Sequence, residues 1–92
     1  MSPDSVEQVR AFTLLHVADG LTAKGVSPES VTDDFDLLLE GVIDSFGLLD
    51  LITAVEAQFG VHLDFEDLDS DDLTVMGPFS RYVAAQVAST AP

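Results

Sequence analysis

The chain has 92 residues, 47% of them hydrophobic, which suits one small domain over residues 1–92 with a modest core and no need of covalent staples. It contains no cysteine, so disulfides, thiolate metal ligands and a cysteine nucleophile are excluded. Seventeen Asp and Glu against three Lys and Arg give a formal net charge of −14, a surface that repels nucleic-acid phosphates and anionic lipid headgroups and suits basic protein partners.

At the N-terminus, Ser2, Pro3 and Asp4 carry helix-starting chemistry, and Val6, Val9, Phe12, Leu14, Val17 and Leu21 recur at mostly three- and four-residue steps. This spacing predicts a first helix from about residue 4 to about residue 24, with Gly25 as its stop. Residues 25–44, "GVSPESVTDDFDLLLEGVID", hold Pro28 and two glycines without a sustained period. They read as a long ordered loop with one short turn, pinned to the core by Val31, Phe35, Leu37, Leu38 and Val42, and a loop of this length in a small domain tends to be functional.

The second helix has the clearest pattern, because Leu48, Leu51, Ile52, Val55 and Phe59 fall on one face. Asp44 or Ser45 can cap its start, and Gly60 stands where a C-terminal glycine belongs. Beyond it, "VHLDFEDLDSDDLTVM" reads as an acidic loop with a short helical turn around Phe65 to Asp69, and only "VHLDF" alternates as a strand would. A last helix from about Gly77 to Ala88 buries Phe79, Tyr82, Val83 and Val87, with Pro78 in its first turn. The result is a small all-α bundle of three longer helices and one short one, with the longest connection between the first two.

Several chemistries can be set aside. Asp67, Asp69 and Asp71 resemble the start of a calcium loop, but Asp stands where its glycine belongs and Pro78 where its closing glutamate belongs. Two histidines without cysteine make a poor zinc set, so no metal is expected. No apolar run approaches the roughly 20 residues needed to span a bilayer, and "MSPDSVEQVR" is not a basic-then-apolar leader, so the cytoplasm is the expected location.

Ser45 opens the second helix between Asp44 and Phe46. A serine there serves as a cap on ordinary grounds. As a self-activated nucleophile it would need a base, and His16 and His62 have no sequence-level reason to meet it. A serine modified by another enzyme needs only exposure at an element boundary, and a helix N-terminus favours an attached phosphate.

"GVIDSFGLLDLITAVEAQFGVHL", with the loop before it and "DDLTVMGPFSRYV" after it, resembles the acyl carrier proteins, also called peptidyl or aminoacyl carrier proteins, over nearly the whole chain. The resemblance implies a small four-helix bundle that is not itself an enzyme. It also implies that Ser45 receives a 4′-phosphopantetheine arm from coenzyme A and that Asp44 helps the transferase engage it. The arm's thiol would then hold an acyl or aminoacyl group as a thioester. "DSFG", with Phe46 where fatty-acid carriers usually have leucine, looks more like discrete carriers of amino acids. These include D-alanine carriers of cell-wall tailoring and stand-alone carriers of bacterial polyketide and macrolactam-type antibiotic biosynthesis, the last being the preferred reading.

The implied partners are a phosphopantetheinyl transferase, an adenylating ligase that loads cargo and an acyltransferase or synthase that removes it, met in transient complexes by a monomer. On the second helix, Phe46, Leu49, Asp50, Thr53 and Glu56 share a face away from the core stripe and suit partner docking. Ordinary burial would instead fold Phe46 and Leu49 onto the loop or the last helix. The alternatives are a D-alanyl or fatty-acid carrier, and an acidic helical adaptor that binds a basic partner non-covalently.

Overall fold

A computed structural model describes residues 4–63 and 73–90 of the chain, without the side chains of residues 4, 89 and 90. The short helix predicted around Phe65 to Asp69, the end of "VHLDF" and the Asp67, Asp69 and Asp71 run lie outside the described residues. The described elements are helical: α1 Asp4–His16, α2 Ala18–Ala23, a 3-10 turn Pro28–Ser30, α3 Ser45–Phe59 and α4 Met76–Thr90. Among the described residues no helix is long and apolar enough to cross a membrane.

The helix predicted from about residue 4 to about residue 24 is divided at Val17, whose φ of −99° and ψ of 12° leave the helical region. The ladder still runs through the bend, with Val17 N–H donating to Thr13 O and Leu21 N–H to Val17 O, both at 3.0 Å. One turn earlier the buried Thr13 hydroxyl donates to Val9 O at 2.8 Å, a back-bond that competes with the backbone and bends helices. Beyond the bend, α2 reaches the loop so closely that a β-carbon on Gly20 would lie 2.1 Å from Val42 O. Gly25 ends the segment as predicted: at a φ of 69° it donates to Thr22 O, and Val26 N–H returns to Leu21 O, which satisfies two end carbonyls.

The predicted α3 stripe faces inward, with Leu51, Ile52 and Val55 buried and Leu48 and Phe59 partly buried against them. Around it pack Val9, Val17 and Leu21 from α1, the bend and α2, with Met76, Phe79 and Val83 from α4. Tyr82 and Val87 lie at the margin of this core. Each such aliphatic or aromatic side chain, fully buried, stabilises the fold by about 1.5–3 kcal/mol, and here the first and last helices share one cluster.

The loop before α3 is held against the bundle by its backbone as well as its side chains. Leu37 N–H donates to Thr74 O, Met76 N–H to Phe35 O and Gly77 N–H to Asp33 O, each at 2.9 Å. The first two residues of α4 thus find acceptors that a helix start lacks on its own. Arg10 adds a bond to Asp33 Oδ1 at 2.8 Å and another to Val31 O, and Arg81 Nη1 lies 3.8 Å from Asp33 Oδ2.

Val31, Leu37 and Val42 are buried and Phe35 is partly buried, as expected. Leu38 corrects the sequence reading, because it is exposed. Asp36 Oδ1 accepts the N–H groups of Leu38 and Leu39, which tightens a turn on which both leucines lie at the surface.

Candidate functional site

Between the two cap residues that the sequence left open, the structure assigns the role to Asp44. Its backbone is extended, with φ −103° and ψ −172°, and its Oδ1 accepts Gly47 N–H at 2.7 Å while its carbonyl accepts Leu48 N–H at 2.9 Å. Gly47 fits closely here, since a β-carbon would lie 3.1 Å from Ile43 Cβ and 3.3 Å from Asp44 Oδ1. Ser45 is therefore the first helical residue rather than the cap, and it is exposed. Among the described residues none supplies a hydrogen-bond partner for its hydroxyl.

Neither histidine serves Ser45. His16 Nε2 lies 2.9 Å from Asp50 Oδ2, with its ring stacked on Phe12, and His62 Nδ1 lies 3.3 Å from Glu56 Oε2. What surrounds Ser45 instead is space: an open groove of about 610 Å³ lined by Leu38, Gly41, Val42, Ile43, Asp44 and Gly47 as well as Ser45. The groove meets the N-terminus of α3, where the first N–H groups have no intrahelical acceptor and carry partial positive charge.

The predicted docking face divides into two kinds of residue. Phe46 and Leu49 stand 82% and 57% exposed, so neither folds onto the loop or the last helix. Leu39, which sequence reasoning did not single out, is 81% exposed on the loop before Ser45. Its signal was Asp36, a residue type whose side chain caps the N–H groups two and three positions on.

The polar members of the face are engaged within the chain. Asp50 is 75% exposed and paired with His16, and the Thr53 hydroxyl donates to Leu49 O at 2.9 Å. Glu56 is only 27% exposed and its Oε2 accepts Leu63 N–H at 2.8 Å, so it fastens the segment after α3. Its place on the predicted face follows from helical geometry, but its carboxylate is occupied by that turn.

An exposed hydroxyl, free of internal bonds, at a helix N-terminus beside an open groove fits a covalently attached phosphodiester and its arm. The hydroxyl can be approached without breaking a native contact, and the helix end favours the phosphate charge.

Comparison with known proteins agrees with that geometry. Residues 22–76 match the family described as "Phosphopantetheine attachment site". The chain is similar to a D-alanyl carrier protein of Bacillus velezensis, with 36% identity over 39 residues, which is 42% of this chain and 50% of the relative. The match thus spans about half the relative's length. No solved structure matches at the same stringency. The matched region takes in more than half of the chain, from α2 to the start of α4, and the chain belongs to the phosphopantetheine-dependent carrier proteins, which hold a covalently attached 4′-phosphopantetheine.

Proposed function

We propose that the chain is a single carrier domain whose arm is attached at Ser45, and that its cargo is an aminoacyl or related acyl group. The observation that carries this is the Asp44–Ser45 arrangement: the aspartate takes the capping bond and leaves the serine exposed with its hydroxyl unengaged. The arm, when attached, supplies the thiol that a cysteine-free chain lacks, and that thiol holds cargo as a thioester. Ser45 anchors it, the α3 N-terminus favours its phosphate, and Asp44 fixes the helix start that a transferase must recognise.

Carriers of this family engage a phosphopantetheinyl transferase and enzymes that load or remove acyl groups. For this chain we assign the loading step to an adenylating ligase and the removal step to an acyltransferase or synthase of bacterial natural-product biosynthesis in the cytoplasm. Phe46 and Leu49, with Asp50 and Thr53 beside them, form the docking face. Small apolar contact with modest charge suits a carrier that must release each enzyme before meeting the next. The chain presents cargo and does not itself catalyse.

A second reading, a D-alanyl carrier, is favoured by the name of the relative from Bacillus velezensis. Intact-mass measurement after incubation with coenzyme A and a promiscuous transferase tests the attachment. Addition to wild type and none to Ser45→Ala is the expected result, and equal addition to both would sink it. Presenting the loaded protein to ligases with D-alanine, other amino acids and fatty acids separates the two cargo readings from each other and from a fatty-acid carrier.

A further inference from the structure

Three of the 92 residues are Lys or Arg, and two of them, Arg10 and Arg81, converge on Asp33. The third, Lys24, closes α2 at its C-cap. Its side chain crosses to the loop before α3: a β-carbon on Gly41 would lie 3.1 Å from Lys24 Cε and 3.2 Å from Lys24 Nζ. The ammonium therefore rests over Gly41, which lines the same groove as Asp44, Ser45 and Gly47. With a φ of 76°, Gly41 sits in a conformation that favours glycine, so the turn puts no side chain between the ammonium and the groove. Among the described residues no carboxylate forms an ion pair with Lys24.

We propose that Lys24 is a positioning residue for the arm, its ammonium meeting the phosphodiester next to Ser45 from the loop side of the groove. The inference rests on attachment at Ser45. A chain of net charge −14 repels a phosphodiester, so the arm's first group settles where the local potential is positive. One source of positive potential borders this groove, the N-terminus of α3, and a second, Lys24, lies beside Gly41 of its lining. A compact ammonium with three donors on a flexible stem follows a phosphate oxygen as a point charge, without the fixed geometry a guanidinium imposes. Such a contact biases the direction in which the arm leaves the surface, towards the loop side of the groove, which Leu38 lines.

The test loads wild type, Lys24→Ala, Lys24→Glu and Lys24→Arg with coenzyme A and a promiscuous transferase, and verifies attachment by intact mass. The ³¹P resonance of the phosphodiester and the side-chain Cε and Nζ resonances of Lys24 are then recorded in unloaded and loaded protein. The Lys24 resonances are expected to move on loading. The ³¹P resonance is expected to move in Lys24→Ala and Lys24→Glu and to stay near wild type in Lys24→Arg. Salt on the order of 1 M, where screening acts over about 3 Å, is expected to shrink these differences. An arm present on Ser45 with Lys24 resonances unchanged, or with the same ³¹P shift in wild type and Lys24→Ala, overturns the role of Lys24 alone. Absence of the arm from wild type, or its presence on Ser45→Ala, overturns the Ser45 reading and this inference with it.

Discussion

His16 Nε2 lies 2.9 Å from Asp50 Oδ2, so the last residue of α1 is joined to the face of α3 that begins at Ser45. The pair sits at the bend between α1 and α2, and the Phe12 ring that stacks on His16 also meets Phe59 edge-on at 5.6 Å. An exposed carboxylate on the proposed docking face thus has a partner in its own chain. A basic group arriving from another protein has to compete with it.

Replacing Asp50 separates docking from folding. Because the carboxylate is 75% exposed, losing its pair is expected to cost no more than about 1 kcal/mol of stability. Asp50→Lys is expected to keep helicity, read by circular dichroism, while lowering turnover by a loading ligase. Collapse of the helical signal would instead assign Asp50 to the fold.

Substitution can divide the capping role of Asp44 from its proposed role in transferase recognition. Asp44→Ala removes the cap bond to Gly47 and is expected to cost about 1 kcal/mol, while Asp44→Asn keeps an acceptor and costs less. In a domain of this size about 1 kcal/mol corresponds to a fall in Tm of about 4–8 °C. A melt of Asp44→Asn close to wild type, together with slower arm addition by mass spectrometry, would place the charge itself in transferase recognition.

Ser45→Ala is expected to fold as well as wild type, within about 0.5 kcal/mol, because the hydroxyl has no hydrogen-bond partner among the described residues. Matching thermal melts with no arm on the variant is the outcome consistent with its assigned use. A large loss of stability would mean that the hydroxyl holds the helix start.

Phe46→Ala and Leu49→Ala are expected to leave the melt nearly unchanged, since both side chains already face solvent. If the proposed docking face holds, their effect is on partner contact, where an apolar anchor is commonly worth more than about 1 kcal/mol, or several-fold in affinity. Binding of a loading ligase, measured by calorimetry, checks this. Equal affinity for wild type and both variants would remove these residues from the docking face.

Gly20→Ala tests the close approach of α2 to the loop. A β-carbon 2.1 Å from Val42 O cannot be accommodated without backbone movement, so a loss of about 1–3 kcal/mol is expected although alanine is the better helix former. Denaturant unfolding provides the measurement. A stabilised variant would show that α2 and the loop separate at little cost.

Much of this protein was legible because its signals are local. The α3 stripe, the glycines at 25 and 60, and the serine after Asp44 are set by spacing and backbone preference within a few residues. Helix periodicity specifies which face turns inward whatever it meets there, so Leu51, Ile52 and Val55 could be assigned before their partners were known.

What required the tertiary structure depends on segments distant in sequence approaching one another. Leu38 and Leu39 share the apolar character of Leu37, and only the Asp36 turn, with Leu37 bonded to Thr74, puts one inside and two at the surface. Helical geometry placed Asp50 and Glu56 on one face, but long-range contacts paired the first with His16, and Leu63 engaged the second. Lys24 comes to lie beside Gly41 of Ser45's groove where α2 packs on the loop, with Gly20 against Val42. The sequence determined α3, the last helix and the serine that opens α3. Packing decided which charges remain available around that serine, because pairing depends on distances that no local pattern encodes.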